Sequence, residues 1–296
     1  MCLLSVLSML REKEKISLCA VHVNYGLRGR DALRDEVAVR ALAKELSVPI
    51  VVKKMKRDSH KKYAEEFLRD FRYAFFEKAR KEKKYDYVAV AHTRDDQAET
   101  VLLHLLRGAG LQGLRGMLWK RGRIIRPFLD VSRSDVEKYN REHKIPSFQD
   151  TTNTDIRFTR NKIRHKLIPY IEKNFNPSFR NVAARLAQGI AEDYDFLLLQ
   201  KKERIFLKRE GAILFSVRKF HLLHPALQRM YLRGAMTDLC GTSVSFTAGH
   251  IEEVQKALQS TKSKMQKVTL RGLKVERRGD RVTLLRLKNS KESSKQ

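Results

Sequence analysis

Residues 87–117 read YVAVAHTRDDQAETVLLHLLRGAGLQGLRGM. The opening run, Tyr87 to Ala91, is short, apolar and rich in valine, the pattern of a buried strand. From Glu99 to Leu106 the apolar residues recur at helical spacing, so the strand is predicted to end near His92 and a helix to start near Asp95. Gly108, Gly110, Gly113 and Gly116 then suit a tightly turning loop rather than more helix. In open α/β sheets ligands bind beyond the carboxyl ends of strands, where His92, Asp95 and Asp96 stand. His92 and Asp96 are four apart and share one crevice if the helix begins early. The same acids also suit the first turn of any helix, because carboxylates offset its exposed N–H groups and its dipole. Spacing alone leaves both readings open.

Outward from this stretch, strands and helices alternate. Cys2 to Leu10 reads as a buried helix and Ile16 to Val23 as a strand that ends in the loop Asn24 to Gly29. Arg34 to Leu46 fits an amphipathic helix and Pro49 to Val52 a short strand. Tyr63 to Lys84 is predicted as a long helix, with Phe67, Phe71, Phe75 and Ala79 on one side. Ile124 to Phe128 is strand-like, and Ser132 opens a further helix with Asp135 completing a short capping box. Such alternation predicts right-handed parallel βαβ units, hence an α/β fold with a doubly wound parallel sheet. Asp150 to Asn161 is loop-like, and Thr159 to Lys173 is a basic helix in which Pro169 makes a kink or break. Pro177 and Ser178 restart a long helix.

Beyond about Arg204 the pattern becomes that of a smaller α+β domain. It runs as a strand (Ala212 to Val217), helices (Pro225 to Leu239, Thr247 to Leu258) and a terminal hairpin, Lys267 to Leu270 with Val282 to Leu287. The expected organisation is a catalytic domain over 1–180, a linker helix over 181–204, a C-terminal domain over 205–288 and a disordered tail over 289–296.

Composition narrows the function. Lys and Arg number 62 against 34 acidic residues in 296, a formal charge of +28, which points to a polyanionic partner, nucleic acid first. An anionic membrane or a charge-rich thermophile surface would also account for such an excess. Cys2, Cys19 and Cys240 are too few and too scattered for a disulfide framework or a zinc site. The start, MCLLSVLSML, lacks the basic lead and cleavage site of a signal peptide, and no apolar run reaches the roughly 20 residues that span a membrane. These features predict a soluble cytoplasmic protein.

Three further groups can carry chemistry. His22, Asn24 and Arg28 sit at a strand's carboxyl end, where a nucleotide can be read, though any polar strand exit looks similar. Arg69 and Arg72 are three apart on one helical face and suit phosphate oxygens, since the planar guanidinium fork stays charged and bonds two oxygens. A solvated basic face explains them equally in so basic a chain. Arg160 and Arg164, like Asn161 and His165, are four apart and give one helix two polar edges; capping and an exposed basic helix are the plain alternative.

Together these strings resemble one family. AHTRDDQAET with RGAGLQGLRGM closely resembles the AHxxDDQAET…RGxGxxGLxGM signature of the tRNA(Ile)-lysidine synthetases, members of the PP-loop ATP pyrophosphatase superfamily. AVHVNYGLRG (Ala20 to Gly29) is similar to the family's AHVNHGLRG, with Tyr25 where the family has His. EEFLRDFRY (Glu65 to Tyr73) resembles ExxxRxxRY, RNKIRHKLIP (Arg160 to Pro169) matches RNxIRHxxxP, and Asp150 to Asn153 resembles D-x-S/T-N. The likeness covers most of the chain and is strongest from His22 to about Pro177.

The resemblance implies ATP and Mg²⁺ as cofactors, with the isoleucine tRNA bearing a CAU anticodon and free L-lysine as partners; a homodimer is compatible with it. It implies adenylation of C2 of the wobble cytidine, then displacement of AMP by the lysine ε-amine. Asp96 is then expected to hold the lysine ammonium, His92 to stand beside the reacting centre, and Arg72 and Arg164 to contact phosphates. His22, Asn24, Arg28, Arg69 and Asp95 are expected at the nucleotide, and Glu99, Asp150, Asn153, Arg160, Asn161 and His165 at the tRNA or lysine. No metal ligand is identified. The basic C-terminal region is expected to grip tRNA phosphates.

The chain also departs from the pattern. The family's SGGxDS phosphate loop follows a first strand and precedes a helix that reads much like CLLSVLSML, and here Met1 stands where that helix begins. No GxxxxGK[ST] or GxGxxG replaces it. This predicts a fragment or a misplaced start codon, and a chain without full activity as written. Two other readings stay open: a PP-loop tRNA thiolase, which generally needs cysteine pairs that this chain lacks, and a non-catalytic basic RNA-binding paralogue.

Overall fold

A computed structural model describes the chain except for residues 28, 56–62, 64, 148–156, 201–204, 242–245, 261–264 and 288–296, and the side chains of 65 and 66. The expected site residues Arg28, Asp150 and Asn153 and the expected tail therefore lie outside the described residues. The chain forms two compact units, Met1–Leu103 with Met117–Ala187, and His104–Gly116 with Gln188–Gln296. The division falls within the long helix that follows Pro177, at Ala187.

The first unit is α/β. Helix α1 (Cys2–Leu10) is apolar on nearly every side and buries Cys2 and Leu3 against Phe128. Strand β1 (Ala20–Asn24) pairs in parallel with β2 (Ile50–Lys54), in the register Ala20 with Ile50 and Asn24 with Lys54. Helix α2 (Arg30–Glu45) makes the crossover between them, and α3 (Glu65–Glu82) follows β2. Strand β3 narrows to Val88–Ala89 and pairs in parallel with β5 (Ile124–Ile125). An unforeseen strand, β4 (Lys120–Arg121), turns at Gly122 (φ +60°) and runs antiparallel to β5.

The parallel strands belong to two separate sheets, β1–β2 and β3–β5–β4. Among the described residues no strand joins β1 to β3. A cavity of about 560 Å³ is lined instead by both of them, by α1 through Leu3, Leu4 and Leu7, and by α3 through Arg72, Tyr73 and Phe76. The resemblance places a strand ahead of α1; here α1 begins at Cys2.

Helix α4 (Arg94–Leu106) follows β3, and the glycine series then holds the four-residue helix α5 (Leu111–Leu114), a short helical turn where a loop alone is expected. Helix α6 (Arg133–Glu142) is capped by Ser132, whose hydroxyl oxygen accepts the Asp135 N–H at 3.0 Å. The basic segment is helical throughout: α7 (Thr159–Lys162), a π-helical turn (Ile163–Leu167) and α8 (Ile168–Asn174). Pro169 neither breaks nor ends it. Proline lacks an N–H and its ring crowds the preceding carbonyl, and the widened turn just before it relieves both. Helix α9 (Phe179–Leu199) completes the segment.

The second unit carries an antiparallel sheet in the order β6–β7–β10–β9–β8. Its strands are β6 (Leu207–Arg209), β7 (Ala212–Ser216), β8 (Gln266–Leu270), β9 (Leu273–Arg278) and β10 (Arg281–Arg286). The expected terminal hairpin is thus a three-stranded meander, since the charged stretch LKVERR forms a strand rather than a turn. Leu273 and Val275 alternate inward with Lys274 and Glu276 between them, a half-buried strand disguised by its polar face. Helices α10 (Val217–His221), α11 (Pro225–Cys240) and α12 (Ala248–Gln259) share its core, where Phe220, Leu232, Met236, Val254, Leu258, Val282 and Leu284 are wholly buried.

Candidate active site

The site is built where β3 gives way to α4. Thr93 caps the helix, its carbonyl accepting the Gln97 N–H. Asp96 reaches back, and its Oδ2 accepts the Thr93 N–H at 2.9 Å and the Thr93 hydroxyl at 3.0 Å. That is the capping role any first-turn acid can take. Its other oxygen, Oδ1, does something else. It accepts from Nη2 of Arg164 at 3.2 Å, of Arg133 at 3.3 Å and of Arg160 at 3.4 Å. Oδ2 thus serves the start of the helix, while Oδ1 meets arginines from two other segments.

One helical turn on, Glu99 is 1% exposed. Arg164 donates Nε to its Oε1 at 2.6 Å and Nη2 to its Oε2 at 2.9 Å, and Arg160 Nε donates to Oε2 at 2.9 Å. Arg133 Nη2 stands 3.8 Å from Oε1. The packing of Ala98 and Leu102 on Ile163 and Ile168 brings the two helices close enough for these bonds. Three guanidiniums thus surround two carboxylates, a cluster with one positive charge in excess. Burial alone would raise the Asp96 carboxyl, but the Thr93 N–H and the charges of Arg160 and Arg133 outweigh it and hold the group below its ordinary value. Burial likewise opposes the charge on Arg164, and the bond to Glu99 more than restores it, so its guanidinium sits above its usual range.

His92 lines the cavity together with His22 and Arg72. Desolvation lowers His92 from 6.5 to about 4, against the pull of Asp96 and with the push of Arg126, Arg160 and Arg69. It is a neutral ring at pH 7, and its buried Nδ1 has no hydrogen-bond partner among the described residues. Burial lowers His22 as well. Arg126, only 5% exposed, donates Nη1 to the Leu118 carbonyl at 2.7 Å, and its Nε has no partner among the described residues.

The other expected residues are more dispersed. Asn24 is buried and uses its amide within the chain: Nδ2 donates to Glu36 Oε2 at 2.9 Å and to the Ala32 carbonyl at 3.3 Å, and Oδ1 accepts the Gly26 N–H at 2.9 Å. Its side chain holds the loop after β1 and the start of α2. Asp95 is tied to Arg180 at 3.1 Å and to the Arg133 N–H at 2.7 Å, which fastens α4 to α6 and α9. Arg72 donates Nε to the Tyr25 hydroxyl at 2.8 Å, and that hydroxyl donates to the Leu68 carbonyl at 3.0 Å. Arg69 is exposed and lies over the Tyr73 ring. Asn161 is buried whereas His165 is exposed, so this pair does not share one environment as Arg160 and Arg164 do.

Arg133, Arg126 and Thr93 went unmarked in the sequence. Arg133 did leave a signal. A cation in the first turn of a helix opposes the helix dipole, so its placement at the start of α6 calls for a carboxylate nearby.

Residues 1–171 match the PP-loop domain family, and the chain belongs to that family. More particularly, it is 34% identical over 303 residues to the tRNA(Ile)-lysidine synthase of Clostridium perfringens, a match covering 99% of this chain and 64% of that protein. The same enzyme of Caldanaerobacter subterraneus is 35% identical over 276 residues, covering 89% of this chain and 58% of the relative. The chain thus spans a little under two thirds of the length of these relatives. Among solved structures, the U34-tRNA thiolase NcsA from Methanococcus maripaludis superposes with a TM-score of 0.50 over 68% of each chain at 19% identity, a likeness of fold.

Proposed function

We propose that the protein is a tRNA(Ile)-lysidine synthetase, an ATP-dependent ligase that joins lysine to C2 of the wobble cytidine in a CAU anticodon. The observation that carries this reading is the convergence of Asp96 and Glu99 on Arg160 and Arg164, two separate motifs meeting at a strand's carboxyl end. In the first step the cytidine C2 oxygen attacks the α-phosphorus of ATP; an O–P bond forms and pyrophosphate leaves. In the second the lysine ε-amine attacks C2, and AMP departs with the former C2 oxygen. Negative charge gathers on phosphate oxygens in both steps, and guanidiniums beside them offset it. Arg164 and Arg160 fill that role, with Arg72 reaching the cavity from α3.

Asp96 is assigned to hold the lysine ammonium and His92 to stand beside the reacting centre. As a neutral ring His92 accepts or donates one hydrogen bond there without adding charge. Among the described residues His92 Nδ1 and Arg126 Nε are buried without hydrogen-bond partners, and both suit an anionic nucleotide with polar edges. Mg²⁺ belongs to the same reading as the partner of the nucleotide phosphates, which supply most of its ligands; among the described residues no group of three or more His, Cys, Asp or Glu side chains is placed to hold an ion, and no step is assigned to the metal.

We assign catalysis to residues 1–180 and the grip on tRNA phosphates to 205–288, joined by 181–204. A homodimer in the cytoplasm is part of the same reading; no helix among the described residues is long and apolar enough to cross a membrane.

The test is Asp96→Asn, assayed by lysine-dependent modification of the tRNA and by tRNA binding. The expected result is a lysine KM raised about tenfold or more, the worth of a charge-assisted bond, with tRNA affinity nearly unchanged. An unaltered lysine requirement would refute the role of Asp96. Absence of any tRNA-dependent ATP–pyrophosphate exchange in a chain extended upstream of Met1 would favour a basic RNA-binding protein.

A further inference from the structure

We propose that Arg133 is a further substrate-binding residue of this site. With Arg160 and Arg164 it forms a clamp that stays closed on Asp96 and Glu99 until a polyphosphate draws the guanidiniums away and opens Asp96 to an amine. The inference rests on the ligase reading above and sets the order in which its substrates enter.

The argument starts from who holds Asp96 Oδ1. The oxygen assigned to an ammonium is already met by three guanidinium nitrogens, at 3.2, 3.3 and 3.4 Å. Those three bonds are long for charged partners, whereas Arg164 and Arg160 grip Glu99 at 2.6 and 2.9 Å. Glu99 is the deep anchor and Asp96 the looser contact. The cluster carries one positive charge in excess, so an arriving ammonium meets both a filled acceptor and a like charge. A pyrophosphate group, with about three negative charges near neutral pH, reverses that balance. It offers the outer guanidinium nitrogens better acceptors and leaves the carboxylates the stronger pole for a cation.

Arg133 is the arm suited to move first. Its backbone N–H is pinned to Asp95 at 2.7 Å, which fixes the base of the side chain, but among the described residues its guanidinium bonds only Asp96 at 3.3 Å and stands 3.8 Å from Glu99. Its side chain, 34% exposed, is also the most open of the three.

Two sites that bias one bistable element must affect each other equally. Titration calorimetry with L-lysine and with sodium pyrophosphate, each alone and each in the presence of the other, measures that coupling on the full chain. Pyrophosphate is expected to tighten lysine binding about 10- to 100-fold, and lysine to tighten pyrophosphate by the same factor. In Arg133→Gln lysine should bind more tightly than to the parent when no pyrophosphate is present, while pyrophosphate binds about tenfold more weakly. A merely structural role would weaken both. Arg133→Lys keeps the charge without the fork and should fall between, and thermal melts verify that each variant is folded.

If both ligands bind and neither alters the other, the clamp is overturned while the ligase reading stands. If pyrophosphate binds and lysine binds in neither state, the lysine reading falls and takes the clamp with it.

Discussion

Replacing Glu99 by glutamine removes one charge and almost no volume, and it does so at the most deeply buried acid among the described residues, 1% exposed. Glu99 accepts two bonds from Arg164 and one from Arg160, with Arg133 nearby. A glutamine amide keeps one acceptor and turns two N–H donors toward guanidiniums that are themselves donors. Breaking one side of a buried ion pair costs about 3–5 kcal/mol, because the remaining charge stays buried without a partner. The side chains of Arg160 and Arg164 are 25% and 16% exposed, so water recovers part of the loss and the lower end applies, about 3 kcal/mol. For a unit of this size 1 kcal/mol corresponds to about 2–4 °C, giving a fall in Tm of about 6–12 °C. Scanning calorimetry of the parent, Glu99→Gln, Arg164→Met and the double variant would measure it. The double variant should recover part of the loss, since it removes both halves of the conflict. A fall below about 2 °C in Glu99→Gln, or strictly additive losses, would refute a buried cluster held by this carboxylate.

Two further outcomes follow from single contacts. His92 is lowered from 6.5 to about 4, so between those values the unfolded chain binds a proton that the folded chain does not. Stability is therefore complete above about pH 6.5 and falls as pH drops toward 4, by about 2 kcal/mol after allowing for partial screening. His92→Gln should flatten that slope relative to the parent in paired urea titrations, and identical slopes would contradict it. Tyr25→Phe should cost no more than about 1.5 kcal/mol, the worth of one or two hydrogen bonds. Because it frees Arg72 from its anchor, it should also raise the nucleotide KM several-fold with kcat retained. An unchanged KM would show that the hydroxyl contact at 2.8 Å does not set the position of Arg72.

Much of this was legible without coordinates, and the reasons differ by residue. The junction from Val88 to Arg94 was readable because local signals agree there: valines before, helical spacing after, polar residues between. The strand β9 was hidden because its outward face carries the charged residues that mark turns elsewhere. The π-helical turn before Pro169 was hidden because a proline by itself indicates only strain, and the neighbouring turn decides how the strain is relieved.

Sequence by itself determined most of the helices and strands of the first unit, the excess of positive charge and the membership of Asp96, Glu99, Arg160 and Arg164 in separate motifs, since each of these rests on neighbours close along the chain. Only the tertiary structure decided which oxygen of Asp96 caps a helix and which meets arginines, and that Glu99 is an anchor. It alone brought in Arg133, and it set Asn24 to hold its own loop. Those outcomes depend on distances between residues about 40 to 70 positions apart for the cluster, and on which groups burial strips of water. Neither is written in local spacing.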